Sequence, residues 1–408
     1  MRYNQLFQLK CHVQHYPWGA RCRDGNKPLI AELEGLPAEK DQPFAELWIG
    51  AHPKLPAHVL IDSGATTRLD DFIAAAPDEI LGSDAAKRGV DRLPFLLKVL
   101  NCETSLSIQA HPDKQSAEHL HRLDPEHYPD ANHKPEISIS IDGLDAFCEF
   151  RPVADIRTHL ARLKTLSALF KDYLTDEALS APPREWLRAA YGFVFEMDDA
   201  EVARVIDELA AELGARDALT LADEWALRLM EQHPHDRGIL SAYFLNIIHL
   251  DPEQAVFLGP NEPHSYLRGA IVECMASSDN VVRAGLTPKF IDRKTLIDML
   301  TYDDGPPEIM TGEPLADDER VYRPPVPEFQ VEFYEHDTDH VAEYKADDAV
   351  SLMLILSGEA EFDTGVGVVQ APRGSTWLWP AALKSLNCTY CQPGTVIIRA
   401  RPNMNRMG

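Results

Sequence analysis

The sequence predicts a mainly β protein with a helical insertion, and three observations carry that prediction. Residues 1 to about 151 hold short apolar runs broken by Pro, Gly and Asp, such as LPAHVLI, LPFLLKVLNC and EISISI. Between about 152 and 235 the apolar spacing becomes that of a helix. From about 236 onward strand texture returns and runs to the C-terminus with turn residues at close intervals.

In the first region, SIQAHPDK (107–114) places Ser107, Gln109 and His111 at alternate positions with Ile108 and Ala110 between them. A strand has a side-chain period of two, so the three polar groups share one face and the apolar groups the other. KPEISISI (134–141) repeats the pattern, with Glu136, Ser138 and Ser140 opposed to Ile137, Ile139 and Ile141. Lys134 shares the Glu136 face if the strand starts that early. SAEHLHRL reads as a helix on which His119 and His121 diverge.

In the insertion, Val153, Ile156, Leu160 and Leu163 recur at helical spacing. DDAEVARVIDELAAELGA has acidic capping candidates, an apolar stripe at 202, 205, 206, 209 and 213, and Gly214 as its expected C-cap. LTLADEWALRLMEQH predicts a further helix, with His233 and His235 in the loop beyond it. AYFLNIIHLDPEQAVFLGPNEPHSYL then reads as two strands joined by a DPEQ turn. The Pro- and Asp-rich run DDGPPEIMTGEPLADDERVYRPPVPEF reads as a linker, and the strands after it as a small sandwich or barrel.

At 408 residues the chain exceeds one ordinary domain, and two or three are expected. Its 39 Lys and Arg against 65 Asp and Glu give −26, which argues against non-specific binding to nucleic acid or an anionic membrane. An anionic small substrate then requires a local gathering of Lys and Arg. With no signal-peptide pattern and no long apolar run, a soluble cytoplasmic protein is expected. Seven scattered cysteines suit a reducing compartment, and the lone Cys388-x-x-Cys391 pair reads as buried thiols.

Gln109, His111, Glu136 and His264, the last from GPNEPHSYL, form a candidate four-ligand set for zinc or another borderline divalent ion. One anionic ligand would leave the ion a formal +1 and keep it a Lewis acid. On spacing alone the metal signal is weak, and a surface histidine and a salt-bridged glutamate are the commoner explanation of His111 and Glu136.

SIQAHPDK, YPDANHKPE, FLGPNEPHSYL and VECMASSDNVVRAGLTPK, in this order, with YPWG (16–19) and ELWIGAHP (46–53) before them, resemble the signature blocks of type I phosphomannose isomerases. The likeness covers about residues 12 to 300. It implies a zinc enzyme with one ion per chain, held by Gln109, His111, Glu136 and His264. It also implies a discontinuous catalytic cupin (jelly-roll) domain at 1–151 and 236–317, a helical insertion domain at 152–235 and a C-terminal jelly roll at 318–408. The last has Pro-Arg-Gly at 372–374 without histidine equivalents, so it is expected to hold no metal.

The implied reaction interconverts mannose 6-phosphate and fructose 6-phosphate by moving a proton between C2 and C1 through an enediol. Arg283 resembles the family's active-site arginine, and its guanidinium suits an enediolate oxygen or a phosphate. Lys134 is the first candidate for proton transfer, Glu273 the second and a water at the metal the third. Ser107 and Lys289, with Arg283, are the expected phosphate clamp, and Trp18 the expected wall of the sugar site. A monomer is expected, feeding either mannose activation (GDP-mannose biosynthesis) or mannose catabolism. The rival readings are a metallocupin dioxygenase and a non-catalytic sugar-phosphate-binding protein.

Overall fold

The computed structural model describes residues 2–37, 41–61, 64–87, 90–316, 319–336 and 342–406. Strands dominate, in sheets of ten, nine and four. The ten-stranded sheet contains β1 (His12–Gln14), β2 (Glu46–Ile49), β3 (Phe95–Cys102), β4 (Ile108–Ala110), β5 (Glu136–Phe150), β6 (Leu245–Leu250), β7 (Ala255–Leu258), β8 (His264–Ala276), β9 (Val282–Gly285) and β10 (Ile309–Met310). Its order is β10-β7-β5-β8-β3-β2-β1. β4 pairs with β8 and β9, and β6 pairs with β5.

The antiparallel pair β5 and β8 shapes the site. In register, Glu136 lies opposite Met275 and His264 opposite Cys148. At about 3.3 Å per residue, a flat pair would hold Glu136 and His264 roughly 40 Å apart. They are in contact instead, 3.5 Å between His264 Nε2 and Glu136 Oε2. The sheet therefore curls over, and glycines make the corner. Gly143 has φ +111° and Gly269 φ +130°, at register shifts where the two strands run side by side. A Cβ on Gly269 would stand 2.0 Å from the Gly143 carbonyl oxygen, so only glycine lets both strands turn there.

Curling sets the polar face of β5 inside and its isoleucines outside. Ile137 and Ile139 pack with Val99 and Val272 against Leu352, Leu354 and Ile398 of the nine-stranded sheet. Each such side chain contributes about 2 kcal/mol on burial. That second sheet joins Phe7–Lys10, His58–Leu60 and Thr66–Arg68 to strands between Glu313 and Arg401. Its other face packs Met353, Trp377 and Ile397 onto the four-stranded sheet, where Cys388 and Cys391 are buried as expected.

The insertion is helical: α1 (Lys114–Leu123) precedes it, and it contains α2 (Val153–Arg162), α3 (Lys164–Leu169), α4 (Pro183–Glu196), α5 (Asp199–Gly214) and α6 (Leu221–Gln232). Val202, Val205, Ile206, Leu209 and Leu213 are all buried, as their spacing predicts. The helical core is continuous with Ile108, Ala110, Val282 and Ala284. Helices thus cover the apolar side of β4 and β9 and turn their polar side toward the interior of the curl.

Four local expectations are corrected. The Pro-rich run after residue 302 contains β10 and the strands Glu313–Ala316 and Glu319–Tyr322, so it is not a linker. The segment Arg237–Tyr243 winds as a 3-10 helix before β6 begins. Gly214 is the last helical residue of α5, and Ala215 is the C-cap. The first 151 residues also contain short helices at Leu29–Leu33, Leu69–Ala75, Pro77–Leu81 and Ser83–Lys87. No helix among the described residues is long and apolar enough to cross a membrane.

Candidate active site

Strand register gathers the site residues into two rows. Gln109 on β4 pairs with His264 on β8 and with Arg283 on β9. Residues directly opposite on antiparallel strands share a face, so the three stand in line. A second row runs Trp48, Lys98, Glu273, Ser138 across β2, β3, β8 and β5. Both rows contribute to a cleft of about 530 Å³, a volume suited to a small molecule. Trp18, Ser107, Gln109, Lys134, Glu273, Arg283 and Lys289 all line it.

His111, Glu136 and His264 are fully buried and converge, their ligand atoms within 4.8 Å of one another. His111 Nε2 is 3.4 Å from Glu136 Oε1. Backbone carbonyls orient both rings: His111 Nδ1 bonds to Asn280 O at 2.8 Å and His264 Nδ1 to Glu262 O at 3.0 Å. The Nδ1–H of each ring is thereby engaged, and the Nε2 lone pairs point inward. His264 Nε2 is buried with no hydrogen-bond partner, an orphaned acceptor that a cation satisfies. Burial first, and then the Lys134 ammonium, pushes His111 down to about 4, so it is a neutral ligand at physiological pH. Burial works to raise Glu136, but Lys134 and the two imidazoles hold it well below the usual carboxylate range. Two imidazoles and one carboxylate, with Gln109 in register beside His264, fit a single divalent ion.

Lys134 precedes β5, yet its Nζ reaches the Glu136 carboxylate and lies 3.5 Å from His111 Nε2. Glu273 lies deeper. Lys98 Nζ is 3.0 Å from one of its oxygens, and the Tyr266 hydroxyl donates to the other at 3.1 Å. Burial and the Glu136 charge raise its pKa, against Lys98. Tyr266 also contacts Ser138 and stands 3.4 Å from Glu136 Oε2, linking the row to the candidate metal centre. Glu46 completes it, 3.5 Å from Lys98 and hydrogen-bonded to Trp48 Nε1 at 2.5 Å. Sequence reasoning missed Lys98, Glu46 and Tyr266. The signal for Lys98 was a lone cation inside the apolar run LPFLLKVLNC.

In the lining of the same cleft, neither Arg283 nor Lys289 has a carboxylate within ion-pair distance among the described residues. Burial lowers both, and Arg283 lowers Lys289 further. Lys289 Nζ lies 5.8 Å from the Tyr16 ring, which stacks on Trp18. Ser107 lines the same cleft.

Comparison with known proteins agrees with this geometry. Residues 6–153 match the family described as phosphomannose isomerase type I, catalytic domain. Mannose-6-phosphate isomerase of Bos taurus is 38% identical over 422 residues, covering 98% of this chain and 98% of that protein. The Mus musculus protein of the same name is 39% identical over 380 residues, covering 87% and 88%. The apo form of mannose 6-phosphate isomerase from Salmonella typhimurium superposes with a TM-score of 0.86 at 27% identity, over 99% of this chain and all (100%) of that one. A mannose 6-phosphate isomerase bound with zinc and yttrium gives 0.85 at 27% identity, over 98% and 100%. Full-length likeness to these proteins establishes that the chain belongs to the type I phosphomannose isomerase family.

Proposed function

We propose that this chain is a zinc-dependent aldose-ketose isomerase interconverting mannose 6-phosphate and fructose 6-phosphate. One observation carries the reading: two oriented imidazoles and a carboxylate converge beside a cleft that also holds two cations without carboxylate partners among the described residues. His111, Glu136, His264 and Gln109 would hold one zinc ion, which supplies Lewis-acid polarisation of a bound sugar oxygen.

Arg283 and Lys289, with Ser107, take the phosphate, and Trp18 walls the sugar. Lys134 is the first candidate to pass the proton between C2 of the open-chain aldose and C1. Glu273, held by Lys98 and Tyr266, is the alternative base. The architecture is read as a cupin barrel at 1–151 and 236–317, a helical domain at 152–235 and a jelly roll at 318–408.

A coupled assay of fructose 6-phosphate formation, run before chelation, after it and after zinc is restored, tests the reading. Activity that disappears and returns supports it. A zinc-loaded, folded protein without activity would overturn it.

A further inference from the structure

The last residues of α6 and the loop after it touch two separate loops of the cleft. Gln232 Oε1 accepts from the Ser105 amide at 3.0 Å, and His233 Nε2 bonds to Ser105 Oγ at 2.8 Å. Ser105 is buried in the connection between β3 and β4, two residues before Ser107. Three residues beyond His233, one carboxylate grips the opposite loop. Asp236 Oδ1 accepts from the Leu286 amide at 2.8 Å and Oδ2 from the Thr287 amide at 3.2 Å. Leu286 has φ +56°, a conformation unfavourable for leucine that needs such a hold. Thr287 Oγ1 then accepts from the Lys289 amide at 3.1 Å. Backbones meet here as well: a Cβ on Gly285 would lie 2.6 Å from the Gly238 Cα.

We propose that the 232–236 segment is a bracket that sets the spacing of the two phosphate-binding loops, with Gln232, His233 and Asp236 as positioning residues. The substrate phosphate then bridges Ser107 on one loop, Lys289 on the other and Arg283 on β9. This gives the helical insertion a part in substrate recognition. The β4–β9 pairing ends at Ile108 and Gly285, so beyond it the sheet does not set the distance between the Ser107 hydroxyl and the Lys289 cation. Burial lowers the pKa of His233, consistent with a neutral ring that leaves the anion to the cations.

The kinetic part of the test rests on the isomerase reading, whereas its binding part does not. Binding of inorganic phosphate to the zinc-loaded full chain is measured by calorimetry for wild type, Gln232→Ala, His233→Ala and Asp236→Ala. Each variant is expected to bind phosphate about tenfold more weakly, with KM for mannose 6-phosphate rising in parallel, kcat changing less than about threefold and zinc content unchanged. His233→Gln, whose amide nitrogen reaches the position of Nε2, is expected to restore most of the loss. Wild type that binds no phosphate, or variants that bind it within twofold of wild type, would overturn the proposal. So would variants losing zinc and kcat together while phosphate binding holds. If Asp236→Ala does not fold, the Gln232 and His233 variants and the glutamine rescue decide.

Discussion

Lys98→Met probes the buried charge row directly. Methionine keeps the volume of the stem and removes the charge that lies 3.0 Å from Glu273 and 3.5 Å from Glu46. At an effective dielectric constant of about 20, a unit pair at that distance is worth roughly 5 kcal/mol. The full loss is never reached at neutral pH, because the carboxyl takes up a proton instead. A glutamate that titrates near pH 4.3 costs about 3.7 kcal/mol to protonate at pH 7. Burial and Glu136 already raise Glu273 in the native protein, so the ceiling lies below that value. The sign follows from linkage. In the variant the folded carboxyl is raised further above its unfolded value, so the folded state holds the extra proton. The penalty grows as pH rises and shrinks by about 1.4 kcal/mol for each pH unit of acidification. Denaturant unfolding of zinc-loaded wild type and variant at pH 5, 6 and 7 measures it. A stability difference that is the same at all three values would refute the charge-row reasoning.

Removing a ligand, in His111→Ala or Glu136→Ala, is expected to weaken zinc binding by more than about 100-fold and abolish turnover, checked by metal content after dialysis. Arg283→Ala should keep its zinc and lose about 100- to 1,000-fold in kcat/KM in the coupled assay. Gly269→Ala forces a side chain against the Gly143 carbonyl at a positive φ. It should destabilise by more than about 3 kcal/mol in thermal unfolding and release metal as the corner opens.

The helical stripe of α5 and the alternating faces of β4 and β5 were legible because periodicity is local. His111 and Glu136 could be named from it. What it could not give was the corner at Gly143 and Gly269, which decides that Glu136 meets His264 across the curl. Nor could it give the pairing of Phe7–Lys10 with Thr376–Trp379, a contact between chain ends. The Pro-rich run was misread for a physical reason. Its strands Glu313–Ala316 and Ile309–Met310 lie at sheet edges, where Pro314 leaves no central ladder position without a donor. Lys98 escaped because a cation facing the interior of a curled sheet looks, in sequence, like a break in an apolar strand.

The distribution of charge inside the cleft argues for where the substrate's own charge goes. The chain carries −26, yet its cleft gathers Lys98, Lys134, Arg283 and Lys289. Lys98 is matched by Glu273 and Glu46, and Lys134 by Glu136. Those cations are already paired, Lys98 with more carboxylate than its own charge, and offer little to an anion. Arg283 and Lys289 have no such partner among the described residues, and burial destabilises their charged forms. A phosphate dianion seated between them relieves that cost and gains charge-assisted hydrogen bonds. An uncharged sugar relieves nothing there, so a phosphate has more to gain than a free hexose from this cleft. Leaving two cations unmatched while the others are paired favours one orientation of an anionic substrate over its reverse.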